Sequence, residues 1–290
     1  MDPEPDAVLV DSNPDGVTVI TINRPHRRNA VDPATSRKLY TAIINFDDDP
    51  AQKVAILTGS NGCFCAGADL HEVAAMNKLS PAARGATQVD NPDSTTDRIK
   101  PPTGPRTRGP MGPSRLLLQK PLICAVAGHA VAGGLELSLL GDMRVIEEDA
   151  VLGVFCRRWG VPLIDGGTVR LPAIVGLGRA LDLILTGRPV GAQEALAMGL
   201  ANRVVPKGQA LAEAKKIAQQ LVAFPQACMR ADRASAYHAA FDARSFGDAI
   251  SNEWDKGFPV VELEGVQGAA GFSKGAGRHG DFSSFGKGKL

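Results

Sequence analysis

The sequence predicts an α/β protein. Two short continuous apolar runs, residues 54–58 and 122–126, each lead into a glycine-bearing loop, a helical pattern follows each, and strand-like runs open the chain. Apolar runs of this length fit strands covered on both faces. Strands that alternate with helices pair mostly in parallel, and ligands then gather at the loops leaving the strands.

The elements follow in order. Residues 7–10 and 17–22 are β-branched runs joined by Ser-Asn-Pro-Asp-Gly, whose Pro14 and Gly16 are turn formers, so the chain opens with a hairpin. Asp32 and Pro33 give an N-cap and a first helical position. Leu39, Ile43 and Phe46 then recur at helical spacing until Asp-Asp-Asp-Pro stops the run. Residues 80–114 hold seven prolines and four glycines, with only Val89, Ile99 and Met111 as larger apolar side chains, which predicts a mobile insertion in a core spanning 1–206. After Pro206, Leu211, Ala214, Ala218 and Leu221 recur at helical spacing and a second helix follows Pro225, giving a helical subdomain over 207–264. The remainder, 265–290, is rich in glycine and basic residues and carries Phe272, Phe282 and Phe285. It reads as a flexible terminus or an arm laid on another subunit.

Composition narrows the partners. The chain has 290 residues, 44% of them apolar, and 32 basic residues against 31 acidic ones, so it has core enough for a globular fold and no field that argues for nucleic acid or an anionic membrane. Glu136, His129 and glycines interrupt the apolar stretch 122–140, which therefore reads as buried strand, loop and helix rather than a membrane span. Five cysteines, an odd number in mostly apolar surroundings, argue against disulfides, and the acidic N-terminus does not resemble an export signal. The expected setting is a reducing cytoplasm, with a small-molecule ligand.

Two segments carry the chemistry: Cys-Ala-Gly-Ala-Asp-Leu at 65–70 and Ala-Val-Ala-Gly-Gly-Leu-Glu at 130–136. Each follows a predicted strand, has small side chains and enters a helix. Amides at a helix start lack intrahelical partners, so two such ends converging on one point make a site for a developing oxyanion. Taken singly, each also reads as a turn capped by Asp69 or as close glycine packing.

Together and in this order the two segments resemble the crotonase superfamily, the enoyl-CoA hydratase/isomerase family. Asn-Arg-Pro-His-Arg-Arg-Asn-Ala-Val at 23–31, Asp-Gly-Gly-Thr-Val-Arg-Leu-Pro at 165–172, Leu-Thr-Gly-Arg at 185–188, and the segments 192–200 and 203–206 resemble further family motifs, so the likeness runs over about 8–206. It implies a ClpP-like spiral of ββα units with a C-terminal α-helical subdomain, assembled as a homotrimer or a dimer of trimers. The amides of Ala68 and Gly133 fall at the oxyanion hole, with the thioester oxygen of an acyl-CoA as their ligand. Arg28, Ala30, Ala66, Asp69 and Leu70 fall among the CoA and substrate contacts. Phe272 and Lys274 resemble tail residues that reach a neighbour's CoA.

Glu136 falls where the family carries its first catalytic carboxylate, and burial among leucines raises a carboxylate's pKa toward the range useful for acid/base work. Cys156 stands where typical hydratases carry a second glutamate. Asp165 stands near the place where dienoyl-CoA isomerases put a catalytic aspartate; it reads equally as a cap on the helix starting near Gly166 and Gly167, and the Glu136–Asp165 pair is the working expectation. His129 reads as structural. Neither metal nor nicotinamide is expected, since Cys63-Phe-Cys65 lacks a second ligand pair and Gly176-Leu-Gly178 lacks a third glycine, and coenzyme A enters only as part of the substrate. The expected reaction is addition of water to a 2-enoyl-CoA. The alternatives are enoyl- or dienoyl-CoA isomerisation and non-catalytic acyl-CoA binding.

Overall fold

A computed structural model describes residues 4–75 and 101–277. The chain divides into two compact units, Met1–Lys215 and Lys216–Leu290.

In the first unit β1 (Val8–Ser12) and β2 (Val17–Ile22) form the expected antiparallel hairpin, with Asn13 and Gly16 bonded across the turn at 3.0 Å. β2 then pairs in parallel with β3 (Val54–Gly59), and β3 with β4 (Leu122–Val126). The six-stranded sheet runs β1-β2-β3-β4-β6-β9, with β6 (Met143–Glu147) and β9 (Arg203–Val205) continuing the parallel ladder. Every residue of β4 is buried, as the unbroken apolar run requires of a central parallel strand. A smaller sheet joins β5 (His129–Val131) in parallel to β7 (Val151–Gly153), and β7 in antiparallel fashion to β8 (Val190–Gly191).

α1 (Pro33–Asp48) starts where the sequence signals it: the Asp32 side chain accepts from Thr35 N at 2.7 Å, and Pro33 occupies the first turn. Its buried face of Leu39, Ile43 and Phe46 packs toward β1 and β2, and truncating Ile43 to alanine there would cost about 2–5 kcal/mol. Between strands lie α2 (Leu70–Ala75), α3 (Gly133–Ser138), α4 (Gly167–Val175), α5 (Leu177–Thr186) and α6 (Ala192–Ala197). Arg144, buried on β6, donates to the carbonyls of Ser138, Gly141 and Leu200 and so holds the C-terminal end of α3.

The insertion expected to be mobile over 80–114 falls partly outside the described residues, at 80–100. Its last part differs from the expectation: residues 109–114 are buried and hydrogen-bonded. One fully buried methionine and a buried acceptor for its amide supply an anchor that a count of apolar residues does not register.

α7 (Ala210–Ala223) crosses into the second unit, where α8 (Gln226–Phe241) and α9 (Phe246–Val260) pack together. The Glu264 carboxylate accepts from the Ala227 and Cys228 amides at 3.0 and 2.8 Å, satisfying the open N-terminus of α8. The tail does not turn irregular at Gly265: α10 (Val266–Ser273) continues as helix, and Lys274 follows it. Glycine spacing in this stretch leaves Val266, Ala269, Ala270 and Phe272 to keep helical backbone. Phe282 and Phe285 lie outside the described residues.

Candidate active site

The two small-residue segments meet. Cys65 and Ala130 form a parallel bridge, with Cys65 N donating to His129 O at 2.9 Å and Val131 N to Cys65 O at 3.1 Å. A second bridge, Val31 to Ala68, ties the early loop to the same place through Val31 N to Gly67 O at 2.8 Å and Asp69 N to Val31 O at 3.0 Å.

Glycine is required at these crossings. A Cβ on Gly134 would lie 2.1 Å from Cys65 O, and one on Gly67 would lie 3.0 Å from Gly133 N and 2.9 Å from Ala132 Cβ. Gly67 also has φ +97°. Ala132, at φ 54° and ψ −125°, holds a conformation disfavoured for a side-chain-bearing residue by about 1–3 kcal/mol, and its amide is fixed on Gly153 O at 2.8 Å. This backbone turns the chain into α3 and aims the first amide of that helix. Among the described residues, neither the Ala68 nor the Gly133 amide donates to a protein acceptor. Two unclaimed donors beside a Gly67–Gly133 contact are what a carbonyl oxygen acquiring charge needs.

Glu136 lies one turn into α3 and is 3% exposed. Its Oε1 accepts from Asp165 N and Gly167 N, each at 2.9 Å, the latter the first residue of α4. Among the described residues no hydrogen bond reaches Oε2. Burial, followed by the charge of Asp165, pushes the Glu136 carboxyl up from 4.5 to about 8, and the two amides and Arg170 oppose that rise. A Cβ on Gly167 would touch Glu136 Cγ and Oε1 at 2.9 Å, which explains glycine there.

Asp165, also 3% exposed, stands beside Glu136, but through its amide. Its Oδ1 accepts from Met111 N at 2.9 Å and from the Ser114 hydroxyl. It does not cap α4, whose N-cap is Gly166 with no side-chain bond. Cys156 is buried in a 3₁₀ turn, and desolvation first, then the nearby Glu136 charge, raises its thiol pKa.

The expected CoA contacts fall on one strip of backbone. Arg28 O accepts from Ala66 N at 3.1 Å, Ala30 O accepts from Arg24 Nη1, and the side chains of Arg28 and Leu70 are exposed. Asp69 is instead buried and paired with Arg24 at 3.3 Å. Arg24, itself buried, also pairs with Asp32 at 3.0 Å and with Glu4, and thereby braces the Ala68 loop from behind. Lys274 belongs to the second unit. The His129 side chain is exposed, and only its carbonyl serves the crossing. Sequence reasoning missed Arg24, Ser114 and Met111 at the site; the pair Arg24 and Asp69 carried a signal only as opposite charges in two motifs already singled out.

The enoyl-CoA hydratase/isomerase family model matches residues 12–99 and 115–252. The chain belongs to that family. It is 37% identical over 228 residues to the enoyl-CoA hydratase EchA19 of Mycobacterium tuberculosis, covering 74% of this chain and 77% of that protein. It is 35% identical over 208 residues to the carnitinyl-CoA dehydratase of Escherichia coli K12, covering 70% of each. Among solved structures, the enoyl-CoA hydratase EchA1 of Mycobacterium marinum superposes with a TM-score of 0.77 at 31% identity, covering 92% of this chain and 96% of that one. A second enoyl-CoA hydratase, from M. tuberculosis H37Rv, gives 0.77 at 32% identity with the same coverage. The fold is the crotonase fold, and the protein is an enzyme of this family. No helix among the described residues is long and apolar enough to cross a membrane.

Proposed function

We propose that this enzyme adds water across the double bond of a 2-enoyl-CoA thioester, with Glu136 as its single proton-transfer group. The observation that carries the proposal is the Glu136 carboxylate, fixed through Oε1 by two amides with Oε2 unclaimed, one turn after the open Gly133 amide.

The ionised Glu136 takes a proton at Oε2 as water oxygen bonds to the β-carbon. The electron pair of the double bond moves onto the thioester oxygen, where the amides of Ala68 and Gly133 receive it, each worth about 3 kcal/mol of barrier. Glu136 then returns its proton to the α-carbon and the carbonyl reforms. One carboxylate thus performs both transfers on one face, which suits a chain with Cys156 in the second carboxylate's place. Asp165 is a positioning residue in this scheme: its amide orients Glu136 and its charge raises the proton affinity. No metal or cofactor takes part beyond the coenzyme A carried by the substrate, with Arg28, Ala30, Ala66 and Leu70 as its contacts, Asp69 acting through Arg24, and Lys274 reaching the CoA of a neighbouring subunit.

A second reading, migration of the double bond, is favoured by the same lone carboxylate, since one base shuttling a proton between carbons needs no partner. Product mass from 2-enoyl- and 3-enoyl-CoA decides: gain of one water supports hydration, and migration at constant mass supports isomerisation. The proposed setting is cytoplasmic, in keeping with five free cysteines. The proposed assembly is a homotrimer or dimer of trimers, supported by the exposed apolar side chains of the second unit, among them Phe246 at 83% and Trp254 at 63%. Light scattering tests it.

A further inference from the structure

The family match skips residues 100–114, and the described part of that segment ends against the residues that hold Glu136. Gly109 and Gly112 exchange backbone bonds at 2.8 and 2.9 Å, and a 3₁₀ turn, Pro113–Arg115, follows. From here hydrogen bonds cross to α4 and its lead-in. Met111 N and the Ser114 hydroxyl donate to Asp165 Oδ1, Arg115 Nε donates to Ile164 O at 3.1 Å, and Arg170 donates through Nη1 to Ser114 O and through Nη2 to Leu116 O at 2.9 Å. Ser114 is wholly buried. A Cβ on Gly109 would lie 2.2 Å from Ser114 Oγ and 2.7 Å from Asp165 Oδ1, so the turn closes directly over the hydroxyl–carboxylate pair.

That pair bears on Glu136 through the main chain of the same aspartate. Asp165 N and Gly167 N grip Oε1 of Glu136 at 2.9 Å each, and between them Gly166 sits at φ +94°. A glycine backbone admits many orientations, so the aim of the Asp165 amide depends on what holds its side chain. The Ser114 hydroxyl and the Met111 amide hold it, and both belong to the segment outside the family match.

We propose that Ser114 is a positioning residue for this reaction: its hydroxyl locks the Asp165 carboxylate, the locked residue keeps its amide on Oε1 of Glu136, and Oε2 is thereby aimed at the substrate. The inference rests on the reading of Glu136 as the proton-transfer group. Ser114 touches no reacting atom and acts through Asp165.

The test is a double-mutant cycle on the full chain. Ser114→Ala is expected to lower kcat roughly tenfold with KM within about threefold of native, the loss that one hydrogen bond to a charged group accounts for. Losing an amide donor also disfavours the ionised form of Glu136, so the rising limb of kcat/KM moves to higher pH by about half a unit or more. The charged and titratable groups that face Glu136, namely Asp165, Arg170 on α4 and Cys156 on its 3₁₀ turn, are all kept in this variant. Loss of the Asp165 charge would move the limb the other way. Asp165→Ala removes the carboxylate that the hydroxyl holds, so adding Ser114→Ala to it lowers kcat by no more than about twofold. Ser114→Cys, nearly the same size but a weak donor, carries the same comparison should the alanine variant not fold.

The Glu136 carboxyl is also titrated directly in the ligand-free chain, by carbon NMR of carboxyl-labelled glutamate, with Glu136→Gln identifying its signal. An upward move of that titration in a chain that hydrates no 2-enoyl-CoA supports the positioning and removes only the reaction. A serine that serves stability alone would lower the unfolding midpoint, leave limb and titration in place, and add its loss of kcat in full to that of Asp165→Ala. Either an unmoved titration or full additivity overturns the proposal.

Discussion

The main-chain amide of Asp165 donates to Oε1 of Glu136 at 2.9 Å, while the carboxylate of the same aspartate turns to Ser114 and the amide of Met111. Two carboxylates from separate sequence motifs, brought side by side in space, therefore have unequal duties. Glu136 keeps an oxygen for chemistry, and Asp165 spends its Oδ1 on structure.

Asp165→Asn is expected to leave turnover within about tenfold of native while shifting its pH dependence. The Asp165 charge raises the Glu136 pKa, so removing it moves the rising limb of kcat/KM, centred near 8 in the native enzyme, toward the ordinary carboxylate range. A pH–rate profile of the variant checks this, and an unmoved limb contradicts it.

Stability carries the same signature. Glu136 has a folded pKa of about 8 against an ordinary 4.5, so the folded state holds more protons than the unfolded one between those values. Its contribution is intact below about 4.5 and is lost progressively as pH rises to about 8. Glu136→Gln, whose amide oxygen still accepts from Asp165 N and Gly167 N, should flatten that decline in denaturant melts run from pH 5 to 8.

Cys156→Ala should retain kcat within about threefold, because a thiol whose pKa is raised by burial and by Glu136 keeps its proton at neutral pH. The lost packing should cost about 1 kcal/mol, read from the unfolding midpoint. A hundredfold loss of kcat in a folded variant would instead make the thiol part of the proton path.

Gly134→Ala should lower stability by about 1–3 kcal/mol and kcat/KM by about a hundredfold. Its Cβ would be driven 2.1 Å from Cys65 O, and relief of that clash separates the two loops that carry the Ala68 and Gly133 amides. Denaturant melts and steady-state kinetics together separate the two effects.

Much of this was legible in the sequence. The parallel strands, the Asp32 cap and the convergence of the two small-residue loops follow from local patterns, and each pattern is enforced by burial or by an amide that needs a partner. The direction of the Asp165 side chain was not legible. It depends on Ser114 and Met111, which lie in a proline- and glycine-rich stretch with no periodicity to mark it. A single buried methionine likewise leaves no repeating signal, and Arg24 reads as a surface charge until Asp32 and Asp69 are brought around it. The helix at Val266–Ser273 was hidden by glycine content, which lowers helix propensity without forbidding the helix.

The most direct measurement is the mass of the product formed from a short 2-enoyl-CoA by the native enzyme and by Glu136→Gln between pH 6 and 9. The account predicts gain of one water by the native enzyme, with a rate that climbs toward pH 8, and a loss of about 10²–10⁴-fold in the variant. Double-bond migration without change of mass, or undiminished hydration by Glu136→Gln, would contradict it.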